Sequence, residues 1–304
     1  MIALSLITGF LGSGKTTYLR RLIEQYRGRR LVFLVNEFSA LDVDGPLLQS
    51  AGGDVVSLPG GSIFCACLVT QFVGTLKSIP ERFGGDMPVE GVLIEASGIA
   101  NPNVAVRLLR ETGLDAQYAL RSIVSIVDPG TFPVLLETLP NLAAQIEASN
   151  AVIVNKMDLF DKKAVEAVEE QVYLLNPGAR VVRSTYCDVA LDLLALPGCR
   201  DLDGDYAPCA DPNYARFTVR VPAPLDETRL RTALAGAKGV LYRVKGFVPA
   251  RTGSLYLDYS SSGLVLQPAG AGPRSHKLVI IARAGAYAEA RSFVESLKQG
   301  EFSA

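Results

Sequence analysis

The segment Gly9-Phe10-Leu11-Gly12-Ser13-Gly14-Lys15-Thr16-Thr17 fits the pattern Gly-x4-Gly-Lys-Thr and follows directly on the apolar run Ile2 to Ile7. A buried strand that ends in a glycine-rich turn and releases into a helix is the frame in which such a turn surrounds phosphate. The backbone N–H groups face the oxygens, Lys15 reaches the β and γ phosphates, and the Thr16 hydroxyl ligates Mg²⁺. The helix is supplied by Leu19, Leu22, Ile23 and Tyr26, which recur at i, i+3, i+4 and i+7. Gly9, Gly12, Ser13, Gly14, Lys15, Thr16 and Thr17 are therefore candidate nucleotide ligands, and the chain is committed from its first strand to an α/β unit.

Short aliphatic runs continue this pattern: Leu31 to Val35, Val55 to Leu58, Val89 to Ile94, Ser122 to Val127, Ala151 to Val154 and Arg180 to Val182. Between them Val69 to Ser78, Asn103 to Glu111 and Lys162 to Leu175 are long enough for helices. Repeated βα units predict a doubly wound P-loop NTPase domain with a mostly parallel sheet, its ligands gathered beyond the carboxyl ends of the strands. The composition changes near Leu191, and Pro197 to Pro212 is rich in Gly, Pro and Asp. The expected division is a P-loop domain over 1–190, a linker over 191–213 and a smaller α+β domain over 214–304. In the last, strands are expected at Phe217 to Val221, Val240 to Val248, Ser254 to Tyr259 and Leu278 to Ala282, in a mostly antiparallel sheet. A helix capped by Asp226 ends at Gly236, and a closing helix runs from about Ala286 to Lys298.

Composition narrows the partners. No apolar stretch of the 304 residues approaches the length that spans a bilayer, and 30 Lys and Arg balance 31 Asp and Glu, so no global field attracts nucleic acid or anionic lipid. The first strand begins at Ile2, which leaves no room for a leader, and a cytoplasmic location is expected. Five cysteines, an odd number without dense spacing, read as thiols or metal ligands and not as a disulfide framework.

Further motifs sit at strand ends. Asn155-Lys156-Met157-Asp158 follows Ala151 to Val154. A carboxylate at Asp158 accepts from the N1–H and the exocyclic amino group of guanine, donors that adenine does not offer in that arrangement. Asn155 contacts the base edge or holds the loop, the Lys156 stem packs over the ring, and Ser184 and Thr185 are candidates for completing the pocket. In Val92-Leu93-Ile94-Glu95-Ala96-Ser97-Gly98, Glu95 binds Mg²⁺ or orients a hydrolytic water, and the Gly98 N–H senses a γ-phosphate. Val35-Asn36-Glu37-Phe38 ends another strand, and the acidic loop with Asp42 and Asp44 behind it suits a switch segment that meets Mg²⁺. Glu37 is the strongest candidate of the three.

Taken in order, Gly9 to Thr17, Asn36-Glu37-Phe38, Glu95-Ala96-Ser97-Gly98 and Asn155-Lys156-x-Asp158 closely resemble the CobW-type GTPases, and Val244-Lys245-Gly246-Phe247-Val248 resembles their small second domain. The resemblance implies a low-turnover GTPase acting as a metallochaperone, or as an assembly factor for metal- and cobalamin-dependent proteins, with zinc or cobalt handled under nucleotide control. The family's usual Gly-Cys-x-Cys-Cys is altered to Gly60-Gly61-Ser62-Ile63-Phe64-Cys65-Ala66-Cys67-Leu68, so a thiolate is missing in either alignment. Ser39 and Ala40 also stand where the family carries glycine and an acid. Cys65 and Cys67 bind a transition metal if Glu37 or a second subunit of a homodimer completes the shell; otherwise they are ordinary thiols. His276 reads as a structural imidazole, and Cys187, Cys199 and Cys209 are too scattered to form a site.

The resulting expectation is a GTP/GDP switch in which Lys15, Glu37 and Glu95 carry catalysis. Thr16 with Glu37 or Glu95 holds magnesium, and the client is a metal- or corrinoid-dependent protein. Two rivals use the same phosphate loop: a small-molecule kinase, which leaves Asn155-Lys156-x-Asp158 without a role, and a nucleotide-gated protein-binding module in which hydrolysis is incidental.

Overall fold

The computed structural model describes residues 1–37, 54–59, 63–64, 68–98, 100–196, 204, 214–250, 253–260, 263–269 and 276–302. The chain divides into two compact units, Met1–Cys209 and Ala210–Ala304.

The first unit is built on seven strands: β1 (Ile2–Thr8), β2 (Leu31–Glu37), β3 (Asp54–Pro59), β4 (Gly91–Glu95), β5 (Tyr118–Val127), β6 (Ala151–Val154) and β7 (Arg180–Arg183). They lie in the order β3-β2-β4-β1-β5-β6-β7, and every pairing is parallel. Helices cover both faces, which is why the strands read as continuous apolar runs and not as alternating ones. On one face Leu4, Leu6, Val92 and Ile94 pack with Phe72 and Leu76 of α2 (Val69–Gly84) and Val104 and Leu108 of α3 (Val104–Glu111). On the other, Ile7, Leu93, Val124 and Ile126 meet Tyr18, Leu19 and Leu22 of α1 (Lys15–Gln25). Strand β1 is flanked by β4 and β5, so the phosphate loop leaves the middle of the sheet.

Two departures from the sequence pattern come from proline. Helices α4 (Phe132–Thr138) and α5 (Pro140–Glu147) carry Pro133 and Pro140 in their first turns, where the missing N–H has no intrahelical partner to lose. The same prolines read as breaks in a sequence. Helix α2, expected to stop at Ser78, continues through Pro80 to Gly84. A proline at 80 leaves the Leu76 carbonyl without its helical donor. The buried Tyr118 hydroxyl donates to that carbonyl at 2.7 Å instead. Tyr118→Phe should therefore cost about 1–3 kcal/mol, because it strands a buried acceptor. Urea unfolding followed by circular dichroism measures this, and an unchanged midpoint would refute the substitution of one donor for the other. Helix α6 (Lys162–Leu175) has the expected bounds, fixed by Asp161, whose side chain accepts from the Ala164 N–H.

The stretch 191–196, assigned by composition to the linker, belongs instead to this unit. Leu191 and Leu193 are fully buried among the α1-side core residues. The Tyr26 hydroxyl accepts from the Leu193 N–H at 2.7 Å and donates to Asp192 at 2.9 Å. Most of the remaining linker, 197–203 and 205–213, lies outside the described residues.

The second unit contains β8 (Tyr214–Arg220), α7 (Glu227–Gly236), β9 (Leu241–Pro249), β10 (Ser254–Ser260), β11 (Gly263–Pro268), β12 (Lys277–Arg283) and α8 (Tyr287–Gln299). Its sheet, ordered β11-β10-β9-β12-β8, is antiparallel throughout. Asp226 caps α7 by accepting from the Arg229 N–H at 2.9 Å, as its position predicts. Strand β11 was not anticipated: it is a short edge strand between a glycine and a proline, and half-buried at most. Val219, Val244, Leu257, Leu278 and Ile280 form the core with Leu230, Leu234, Phe293 and Leu297 of the two helices. His276 is half-buried, with its ring nitrogen 2.8 Å from the Ser254 hydroxyl. Among the described residues no helix is long and apolar enough to cross a membrane.

Candidate functional site

Strand β1 opens into the phosphate loop at Gly9, which adopts φ +128°; a Cβ there would meet the Ile126 carbonyl oxygen at 2.3 Å. Gly14 adopts φ +120°, and its Cβ would lie 2.5 Å from Asn155 Nδ2 and 2.9 Å from Cys187 Sγ. Only glycine fits either place. The buried Lys15 ammonium donates to the carbonyls of Gly9 at 2.8 Å and Phe10 at 3.1 Å, so its charge is held inside the loop that it serves. The Ser13 hydroxyl is buried without a partner, beside a cavity of about 10 Å³ that Asp128 and Thr131 also line.

The register of β1 on β4 sets Ile7 opposite Glu95. It brings the buried Glu95 carboxylate to 3.4 and 3.5 Å from the Thr16 hydroxyl. A carboxylate and a hydroxyl at the root of a phosphate loop are hard oxygen donors that suit Mg²⁺. Gly98 lies against the loop as well: a Cβ on it would meet the Leu11 nitrogen at 2.8 Å. Glu37 ends β2, two residues beyond Val35, which pairs with Glu95. Only the backbone of Glu37 is described, and Asp42, Asp44, Cys65, Cys67, Cys199 and Cys209 lie outside the described residues. Among those described, no group of three or more His, Cys, Asp or Glu is arranged to hold a metal ion.

The loop after β6 reaches the same edge of the sheet. Asn155 makes the contacts that the loop-holding role requires. Its amide donates to the Ser13 carbonyl at 2.9 Å, and its oxygen accepts from the Cys187 N–H at 2.9 Å, strapping the phosphate loop to the loop after β7. Lys156 adopts φ +63°, and its ammonium pairs with Asp128 at 2.6 Å. Asp158 is exposed in the one-turn helix Met157–Leu159. The Met157 N–H donates to Ser184, which is buried, while Thr185 is half-buried and Thr17 exposed. Arg21 of α1 holds the β7 loop from outside, donating to the Tyr186 carbonyl at 2.7 Å and pairing with Asp188 at 3.0 Å.

The structure thus brings together Gly9 to Thr16, Glu95, Gly98, Asn155, Lys156 and Ser184, and adds Asp128 and Arg21, which carry no motif, and Cys187, set aside above as too scattered. Asp128 directly follows β5, an acid at a strand end like Glu95 at the end of β4, and that shared signal would have found it. Arg21 and Cys187 carry no local signal. Cys187 is fully buried beside Gly14, and burial pushes its thiol from 9.0 up to about 12. Alkylation at pH 8 should therefore be far slower at Cys187 than in the unfolded chain, as mass spectrometry of the labelled peptide would read; equal rates would contradict this burial. A raised thiol pKa favours the folded state fully below pH 9, and that contribution is lost as the pH rises towards 12.

Residues 3–183 match the CobW/HypB/UreG nucleotide-binding domain, and residues 214–298 match the cobalamin synthesis protein CobW C-terminal domain. A zinc chaperone CobW from Sinorhizobium sp is 28% identical over 199 residues, covering 56% of this chain and 55% of that protein. The zinc-regulated GTPase metalloprotein activator 1 of Schizosaccharomyces pombe is 28% identical over 193 residues, covering 61% of this chain and 46% of the relative. The crystal structure of Zn(II)-bound YjiA GTPase from E. coli aligns over 97% of this chain and 98% of its own, at 19% identity and a TM-score of 0.49. The chain spans about half the length of the curated relatives it matches. With both domain models matched in order, and the first alone covering more than half of its residues, the chain belongs to the CobW/HypB/UreG family.

Proposed function

We propose that this chain is a GTP-binding, slowly GTP-hydrolysing switch that delivers a metal to, or assembles, a metal- or corrinoid-dependent client protein. The observation that carries the reading is the convergence of Lys15, Thr16 and Glu95 with the Asn155-to-Asp158 loop at one edge of the sheet. In this reading Lys15 and the loop amides bind the phosphates, Asp158 selects guanine, and Glu95 or Glu37 orients the attacking water. Thr16 with Glu95 or Glu37 would hold Mg²⁺, which when bound neutralises charge on the β and γ phosphate oxygens. Turnover is low until a partner supplies further transition-state groups.

Zinc is the favoured cargo, supported by the relatives named as zinc chaperones; cobalt is the alternative. Cys65 and Cys67 are the proposed cargo ligands, completed by Glu37 or by a second subunit of a homodimer, and the protein works in the cytoplasm. The test is calorimetric titration with zinc and with cobalt, each in the presence of GDP or a non-hydrolysable GTP analogue at matched Mg²⁺. Metal affinity that changes with the nucleotide, near one metal per chain or per dimer, and that disappears in Cys65→Ala with Cys67→Ala, is the expected result. Tight guanine nucleotide binding without metal uptake would overturn the cargo role and leave a client-directed switch.

A further inference from the structure

Gln145 of α5 is fully buried, and its side chain points at the segment that follows Glu95. Its amide nitrogen donates to the Ala100 carbonyl at 2.9 Å and lies 3.4 Å from the Gly98 carbonyl. Both neighbours are acceptors, which fixes the orientation of the amide. The opposite side of Gly98 rests on the phosphate loop, where a Cβ would strike the Leu11 nitrogen. Gly98 is thus held between Leu11 and Gln145.

The backbone of Gln145 is linked by a second route to the end of β1, the strand that leads into the phosphate loop. Its carbonyl accepts from the hydroxyls of Ser125 at 3.0 Å and Ser149 at 2.7 Å. Ser125 in turn lies 2.6 Å from the hydroxyl of Thr8, the last residue before Gly9. Two buried polar atoms here have no partner, the Gln145 side-chain oxygen and the Ser97 hydroxyl. Unsatisfied buried groups are uncommon and mark places where a protein holds strain or has another arrangement to adopt.

We propose that Gln145 is a positioning residue that anchors Gly98 and Ala100, beyond the strand end at Glu95, against the phosphate loop, and so sets how strongly the site distinguishes a nucleoside triphosphate from a diphosphate. The inference rests on the GTPase reading. A diphosphate is held by Lys15 and the loop amides, which Gln145 does not touch. The γ-phosphate is what Gly98 senses and Glu95 serves, and their position depends on the anchor.

Gln145→Met keeps the length and apolar bulk of the side chain and removes the donor. The expected result is at least a tenfold fall in GTP hydrolysis, and at least a fivefold fall in affinity for a non-hydrolysable GTP analogue relative to GDP. GDP affinity itself stays within about twofold. Amide hydrogen exchange at Ala100 should rise in the same variant without nucleotide. Gln145→Glu, which sets a carboxylate against the two carbonyls, should behave alike and serves if the methionine variant does not fold. Hydrolysis and affinity ratio within twofold of the unsubstituted protein would overturn the proposal, as would equal weakening of both nucleotides or failure of both variants to fold, since each leaves Gln145 only a structural role. If the unsubstituted protein binds no guanine nucleotide while exchange at Ala100 still rises in the variant, the GTPase reading fails and the anchor stands.

Discussion

Lys15→Met is expected to weaken both GDP and GTP binding by roughly 10- to 150-fold, the range spanned by the 1.5–3 kcal/mol that a hydrogen bond to a charged group contributes. The effect has two sources. The substitution removes the one cation of the phosphate loop, and it also removes the donor that the Gly9 and Phe10 carbonyls share. Methionine fills the space of the lysine stem but leaves those carbonyls without their internal partner, so the loop loses shape as well as charge. Calorimetry with GDP isolates the affinity, and a dissociation constant within threefold of the unsubstituted protein would mean that phosphate is bound elsewhere. Lys15→Arg should not restore binding, because a planar guanidinium does not fit where a compact ammonium meets two carbonyls about 3 Å away.

The largest stability effect is expected at Gly246→Ala. Gly246 lies in β9, pairs with Leu257 on one side and Leu278 on the other, and adopts φ +148°. An added Cβ would sit 2.1 Å from the Lys277 carbonyl oxygen, and the two next-nearest atoms are also backbone. No side chain can swing aside, so the β9–β12 ladder must separate, at an expected cost above about 4 kcal/mol. Gly239→Ala is the control. It too has a positive φ, +85°, but its Cβ meets nothing within 4 Å. Its cost should therefore be only the backbone penalty of about 1–2 kcal/mol. Hydrogen exchange in β9 and β12 reads both substitutions. Native protection in Gly246→Ala would show that the sheet relaxes in a way its geometry does not suggest.

The parallel core was legible because burial on both faces leaves unbroken aliphatic runs, and Ala151–Val154 and Lys162–Leu175 appear with the bounds that the sequence predicts. The α4 and α5 helices were not, since a proline that is harmless in a first turn is indistinguishable in sequence from one that breaks a helix. Pro80 shows the limit from the other side. Its helix continues because Tyr118, 38 positions away, supplies the donor, and such a partner has no local trace. The site divides in the same way. Glycines, Lys15 and the strand-end acids announce themselves through spacing, whereas the strap that Asn155 makes to Ser13 and Cys187 joins loops far apart in sequence and has no local trace. Arg21 and Gln145 act at a distance through backbone carbonyls, which any donor of the right length could reach.

The place of β1 between β4 and β5 also governs how this chain is made. Synthesis releases the phosphate-loop strand well before both of its partners, Gly91–Glu95 and Tyr118–Val127. At ribosomal rates of about 5–20 residues per second, the first strand waits roughly 6–24 s before both its edges can be covered. During that interval Ile2 to Ile7 is an apolar strand with both backbone edges open, a target for chaperones and for mispairing between nascent chains. Slower translation between residues 8 and 118 would lengthen that exposure and lower the yield of folded protein, without altering a single contact of the finished molecule.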